Sequence, residues 1–268
     1  MSTSIRGVQP TGQVDQNWSR LLWKDCPWQD IGHTVEGVKF EDNFENVPIL
    51  STTAVTGKYA CFGDTGATIV ASATDPLGGV VLTVDADDNQ EACIQTYGAL
   101  ANFIDPATGT APYDVWFEAQ FELSAVVGNC FFGLMEYFTP AGDHITDAGA
   151  LADKGLVGFS TLEATPTILN FTFKKAGQTV QVPITTVHTM VAATKVAVGF
   201  HYLSNNPTAK RITVFKNNVI QATGVTKAQI EAATFPDNVP MSLTAAIKNV
   251  TDITASTMNR WRCAMVKQ

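Results

Sequence analysis

From about Val35 onward, short runs of Val, Ile, Thr, Phe and Tyr alternate with turn residues at regular intervals, with one short helical pattern among them. Such spacing reads as many short strands, and without βαβ units the strands must pair antiparallel. Candidate strands are Val38–Phe44, Tyr59–Phe62, Thr68–Ser72, Val80–Val84, Ala92–Tyr97, Val115–Leu123, Cys130–Tyr137 and Leu156–Ser160. They continue with Ile168–Lys174, Thr179–Pro183, Lys195–Tyr202, Arg211–Phe215, Val219–Ala222, Met241–Ile247 and Arg260–Met265. The breaks "DPLGG", "DPATGTAP", "TPAGD", "KKAGQ" and "SNNPTAK" carry the residues that turns demand. "FKNNVI", Phe215 to Ile220, reads as a tight hairpin because Asn tolerates positive φ. Thr226–Thr234 is the one good helix candidate, starting on a Thr cap and stopping before Phe235-Pro236. The expected fold class is all-β: a two-sheet antiparallel jelly-roll sandwich with an extended N-terminal arm and one short helix.

The clearest strand is "YDVWFEAQFELSAV", from Tyr113. Its period of two puts Phe117, Ala119, Phe121 and Leu123 on one face and Trp116, Glu118, Gln120 and Glu122 on the other. Paired carboxylates suggest glycoside hydrolysis. A four-residue step along a strand is roughly 13 Å, however, and paired catalytic carboxyls stand about 5–9.5 Å apart. Gln120, which cannot titrate, sits between them. The polar face therefore reads as a solvated strand face.

Residues 1–35 are unlike the rest. They hold Trp18, Trp23 and Trp28, three of five tryptophans, with no sustained period and at most one helical turn. Rings without a core of their own need a surface, either the protein's own domain or a partner. Trp18, Leu22, Trp23 and Trp28 are thus candidate partner-binding residues, and Trp116, a lone ring on a polar face, is a candidate contact for a glycan or a neighbour. The chain divides into an arm, 1–35, and a sandwich domain, 36–268.

Charge and composition exclude other classes. At 45% hydrophobic and 16% charged, 268 residues can bury a large core. A net charge of −8 with scattered Lys and Arg argues against nucleic acid, and no apolar run is long enough to span a membrane by helix. The N-terminus lacks an apolar signal core. Five widely spaced cysteines, Cys26, Cys61, Cys93, Cys130 and Cys263, suggest reduced, mostly buried thiols from a reducing cytoplasm. His33, His144, His188 and His201 lack zinc-site spacing, and His201 is expected to close a strand end. The acidic loop Asp85–Glu91 departs from the EF-hand pattern and reads as a turn, with or without metal. No nucleophile elbow, Cys–His pairing or phosphate loop is present, so neither an enzyme nor a cofactor is expected.

Several phrases, in order, resemble bacteriophage virion proteins with a concanavalin A-like lectin/glucanase jelly roll. They are "LWKDCP" (Leu22 to Pro27), "GVKFEDNF" (Gly37 to Phe44), "FEAQF" (Phe117 to Phe121), "FFGL" (Phe131 to Leu134), "KGLVGF" (Lys154 to Phe159) and "FKNNV" (Phe215 to Val219). "FPDNVPMSLTAAIKN" (Phe235 to Asn249) and a terminal strand with Trp261 complete the set. The resemblance implies a structural protein decorating or cementing the capsid surface. It implies anchoring to the major capsid protein partly through the arm, self-association with a trimer as first choice, and surface glycans as a further partner. A lectin-like tail or fibre module is the alternative, ahead of a glycoside hydrolase.

Overall fold

A computed structural model describes residues 18–45, 55–73, 78–87, 89–103, 112–137, 143–162, 164–206, 210–249 and 254–268. Among them lie seventeen strands and two short helices, α1 (Arg20–Trp23) and α2 (Lys227–Ile230). The strands are β1 (Gly37–Asp42), β2 (Val55–Thr56), β3 (Tyr59–Gly63), β4 (Thr68–Ala71), β5 (Val80–Thr83), β6 (Glu91–Thr96), β7 (Ala101–Asn102) and β8 (Tyr113–Leu123). Then come β9 (Asn129–Glu136), β10 (Leu156–Leu162), β11 (Thr165–Lys174), β12 (Gln181–Thr189), β13 (Val196–Tyr202), β14 (Lys210–Lys216), β15 (Val219–Thr226), β16 (Pro240–Lys248) and β17 (Ala255–Lys267).

They form two sheets with antiparallel pairing throughout. The first runs β15-β14-β13-β8-β17-β5-β4, with β1 also on β17. The second runs β12-β11-β10-β9-β16-β6-β3-β2, with β7 on β16. The expected two-sheet jelly roll is therefore the fold. The main core lies between the sheets and takes the face predicted for β8: Phe117, Ala119, Phe121 and Leu123, all buried. Phe132 of β9 stacks on Phe121 across the sandwich at 3.6 Å between centroids.

Local sequence explains several joints. Asn217 and Asn218 sit at φ 47° and 63°, the conformation of a tight hairpin, and join β14 to β15 as expected. The predicted helix is shorter than its pattern. A capping box between Thr226 and Gln229 starts it, and it ends at Ile230. The strand expected at Thr179–Pro183 instead runs from Gln181 to Thr189, and its Val187 reaches the core.

Each sheet also has a covered outer face, which the alternation pattern did not foretell. Residues 18–35 lie across the first sheet, where Leu22 and Ile31 join Trp116, Phe215, Ala264 and Val266 in a second cluster. Residues 143–155 strap the second sheet, burying Ile145 and Leu151 against Cys93, Phe131, Met135, Leu156 and Ala246. Beneath the strap Gly133 and Gly158 pair across β9 and β10. A Cβ on either would come within 2.7 Å of the other's Cα and about 3 Å of the Phe131 ring.

Candidate functional site

The candidate residues of the arm converge on the outer face of β8. Glu118 points outward there, opposite Gly199 of β13 and Arg262 of β17. Gly199 has no side chain because a Cβ would lie 2.5 Å from Leu22 Cδ2, so its bareness makes the socket for that leucine. Glu118 is only 1% exposed. Its carboxylate accepts bonds from Ser19 N (3.0 Å), Ser19 Oγ (2.7 Å) and Trp23 Nε1 (2.5 Å). Ser19, the residue before α1, uses its hydroxyl here rather than capping the helix. Burial raises the Glu118 pKa above the ordinary carboxylate value, while the Ser19 and Trp23 hydrogen bonds and the Arg262 charge pull the other way.

Arg262 is enclosed by the three arm tryptophans. Its guanidinium carbon stands 3.8 Å from the Trp23 ring centre, 4.2 Å from Trp18 and 5.2 Å from Trp28. Trp23 and Trp28 meet edge to face at 5.3 Å, and Trp18 Nε1 donates to Glu41 Oε1 at 2.9 Å. A cation facing several ring faces gains electrostatic attraction at each, more so when partly desolvated. The Trp-rich composition of the arm is thus matched by an arginine on the central strand of the sheet beneath it.

The outcome for each candidate is plain. Trp18 and Leu22 are buried on the protein's own sandwich, and Trp23 and Trp28 are half-buried there. Trp116 stacks on His201 at 4.6 Å and 19°, with 1% exposure, so with the arm in place a sugar ring has no access to it. His201 is the penultimate residue of β13, and burial lowers its pKa to about 4. The expectation that the whole polar face of β8 is solvated needs correction. Gln120 and Glu122 are half-buried, but Trp116 and Glu118 lie under the arm. The physical reason is that this carboxylate meets hydrogen-bond donors from a segment 99 residues earlier in the chain. Sequence spacing carries no trace of that contact.

Elsewhere on the surface, Tyr97 and Tyr137 meet edge to face at 5.7 Å where β6 and β9 end. Tyr97 is 59% exposed. The Asp85–Glu91 loop is held by Asn249, whose amide donates to the carbonyls of Asp85 (2.5 Å) and Asp87 (2.6 Å) and accepts from Gln90 N. Glu91 leaves that loop for β6 and turns toward the strap. There Glu91, Cys93 and His144 place a carboxylate oxygen, a sulfur and a ring nitrogen within 4.8 Å of one another. All five cysteines are free, four of them buried and Cys26 half-buried.

No family model matches the chain, and no curated protein matches it. Solved structures do. Peanut lectin bound to a nine-residue peptide superposes with a TM-score of 0.55 at 16% identity, covering 86% of this chain and 97% of the lectin. The Lotus tetragonolobus seed lectin gives 0.53 at 16%, covering 86% and 100%. A structure described under endo-acting O-glycanases of human gut microbiota gives 0.53 at 11%, covering 86% and 99%. At such identities the likeness is one of fold: this chain shares the two-sheet jelly roll of those structures and spans almost their full length.

Proposed function

We propose that the chain is a non-enzymatic structural protein of a bacteriophage particle, decorating or cementing the capsid shell. In this reading it attaches to the major capsid protein partly through the N-terminal arm and assembles as a homo-oligomer, a trimer by first choice. The ordered set of virion-type phrases in the sequence supports the setting. The observation that carries attachment is an apolar patch joining arm and sandwich. Leu21 N donates to Asn218 Oδ1 at 2.9 Å, which sets Leu21, 49% exposed, beside a hairpin whose Ile220, 52% exposed, pairs with Phe215 of the arm-covered face. Exposed aliphatics grouped on one face support a protein contact there. The inward-facing Trp18, Leu22, Trp23 and Trp28 hold the arm so that its outer side can serve that contact. Glu118, sealed beneath the arm, is unsuited to hydrolysis.

The test is quantitative mass spectrometry of purified particles, followed by add-back to particles lacking the protein. Hundreds of copies per particle and weakened add-back of Leu21→Asp or Ile220→Asp protein are expected. A dozen copies or fewer, or undiminished add-back, would refute shell attachment through this patch. Removal of residues 18–34 is not a substitute for these variants, because it also uncovers Trp116 and Glu118.

A second reading, glycan binding, is favoured by the Tyr97–Tyr137 pair on a lectin-type fold, in which Tyr97 is exposed and Tyr137 half-buried. Aromatic faces stack on sugar rings, and this pair, unlike Trp116, is reachable. A glycan array should show binding that Tyr97→Ala abolishes and Trp116→Phe preserves. Absence of any wild-type signal would remove this reading.

A further inference from the structure

We propose that Glu91, Cys93 and His144 form a structural zinc site that pins the strap of residues 143–155 to the second sheet. Glu91 and Cys93 are two apart on β6, so both project from its outer face. His144 stands at the start of the strap and closes over them. The three residues are 0%, 1% and 2% exposed, which makes this an interior cluster rather than a surface collection of acids. Thiolate sulfur, imidazole nitrogen and carboxylate oxygen are the donor types that zinc takes in tetrahedral sites.

The three donors are within reach of a single ion. Bonds of about 2.0–2.3 Å in a tetrahedron hold ligand atoms about 3.3–3.7 Å apart, and these donors lie within 4.8 Å. Glu91 Oε1 and His144 Nδ1 are 2.9 Å apart and hydrogen-bonded, so binding exchanges that bond for two coordinate bonds and a small spreading of both groups. The other Glu91 oxygen keeps its place by accepting from the backbone N–H groups of His144 and Ile145, each at 3.0 Å. Those bonds are the outer support that a ligating carboxylate needs.

The charges balance as well. Binding deprotonates Cys93, and the thiol proton leaves to solvent, so Zn²⁺ is neutralised by one thiolate and one carboxylate while imidazole stays neutral. Lys248, buried alongside, already has Asp147 at 2.8 Å and Asp143 at 3.4 Å as partners. The Glu91 charge adds to theirs in keeping Lys248 protonated. A search restricted to histidine spacing misses this set because Cys93 and His144 are 51 residues apart in the chain.

Full-length protein purified without chelator tests the proposal by elemental analysis and by cobalt substitution. The expected result is one zinc per chain, a Co²⁺ form with a thiolate-to-metal charge-transfer band in the near ultraviolet, and a melting temperature that falls with chelator. Cys93→Ser should lose the band and at least tenfold in zinc affinity while keeping the far-ultraviolet circular dichroism of the wild type. His144→Gln should lose affinity too. Wild-type protein that is folded yet takes up neither zinc nor cobalt stoichiometrically would overturn the site. A Cys93→Ser protein that binds zinc as tightly as wild type would overturn it equally.

Discussion

Glu118→Ala should detach the arm from an otherwise intact sandwich. The substitution leaves three arm donors, Ser19 N, Ser19 Oγ and Trp23 Nε1, without their acceptor. Hydrogen bonds to a charged group contribute about 1.5–3 kcal/mol each, roughly 4.5–9 kcal/mol in gross terms for the three. Burying the carboxylate offsets several kcal/mol of that, and removing one partner of such a buried set costs about 3–5 kcal/mol net. Because the arm can lift and return its donors to water, the loss should lie near the lower end, about 3 kcal/mol. Glu118→Gln keeps one acceptor oxygen and should cost about half as much. The two also differ in pH dependence. The folded state raises the Glu118 pKa, so its contribution is full at acid pH and is lost as pH rises through the shifted value. Wild type should therefore lose stability relative to Glu118→Gln between acid and neutral pH. Urea denaturation gives the free energies, and limited trypsin digestion at Arg20 and Lys24 reads the arm. An alanine variant within about 0.5 kcal/mol of wild type, and equally protease-resistant, would refute the account of Glu118 as the arm's anchor.

The thiols offer an independent readout. Burial pushes Cys26 up to about 12, so native protein should label slowly with a thiol reagent at pH 8, whereas Glu118→Ala should expose Cys26 alone. His201, held near 4 by burial, should stay neutral by NMR through mildly acid pH. Its depressed pKa makes a contribution that is full above the ordinary histidine value and lost as pH falls toward 4. His201→Phe should escape that loss, which amounts to about 3 kcal/mol at most. Gly133→Ala and Gly158→Ala should each destabilise by about 1–3 kcal/mol, because the added methyl meets backbone rather than a yielding side chain. Calorimetry showing either variant to be as stable as wild type would contradict the close packing of β9 on β10.

What could be read in the sequence was whatever repeats locally. Phe117, Ala119, Phe121 and Leu123 declared the inner face of β8 by alternation alone, and Asn217-Asn218 declared a hairpin by their tolerance of positive φ. The arm's tryptophans could be recognised as needing a surface, but the surface could not be named. Arg262 lies more than 230 residues away, and nothing about an arginine in a strand announces three rings around it. Glu118 was misread for the same reason. Alternation tells which side of a strand a residue takes and not what lies over that side. Glu91 was grouped with the acidic loop before it, although as the first residue of β6 it points at the strap.

The position of β17 carries a consequence for how the protein is made. This strand pairs with β8 on one side and with β5 and β1 on the other, so it closes the middle of the first sheet. On the ribosome, residues 255–267 emerge after every other strand. Until then β13, β14, β15 and β8 on one side and β4 and β5 on the other cannot be joined, and their apolar faces wait unsealed. Synthesis interrupted before Ala255 would then yield an aggregation-prone half-sandwich rather than a smaller stable domain. Pairing of β17 is thus expected to be the step that closes the described sandwich.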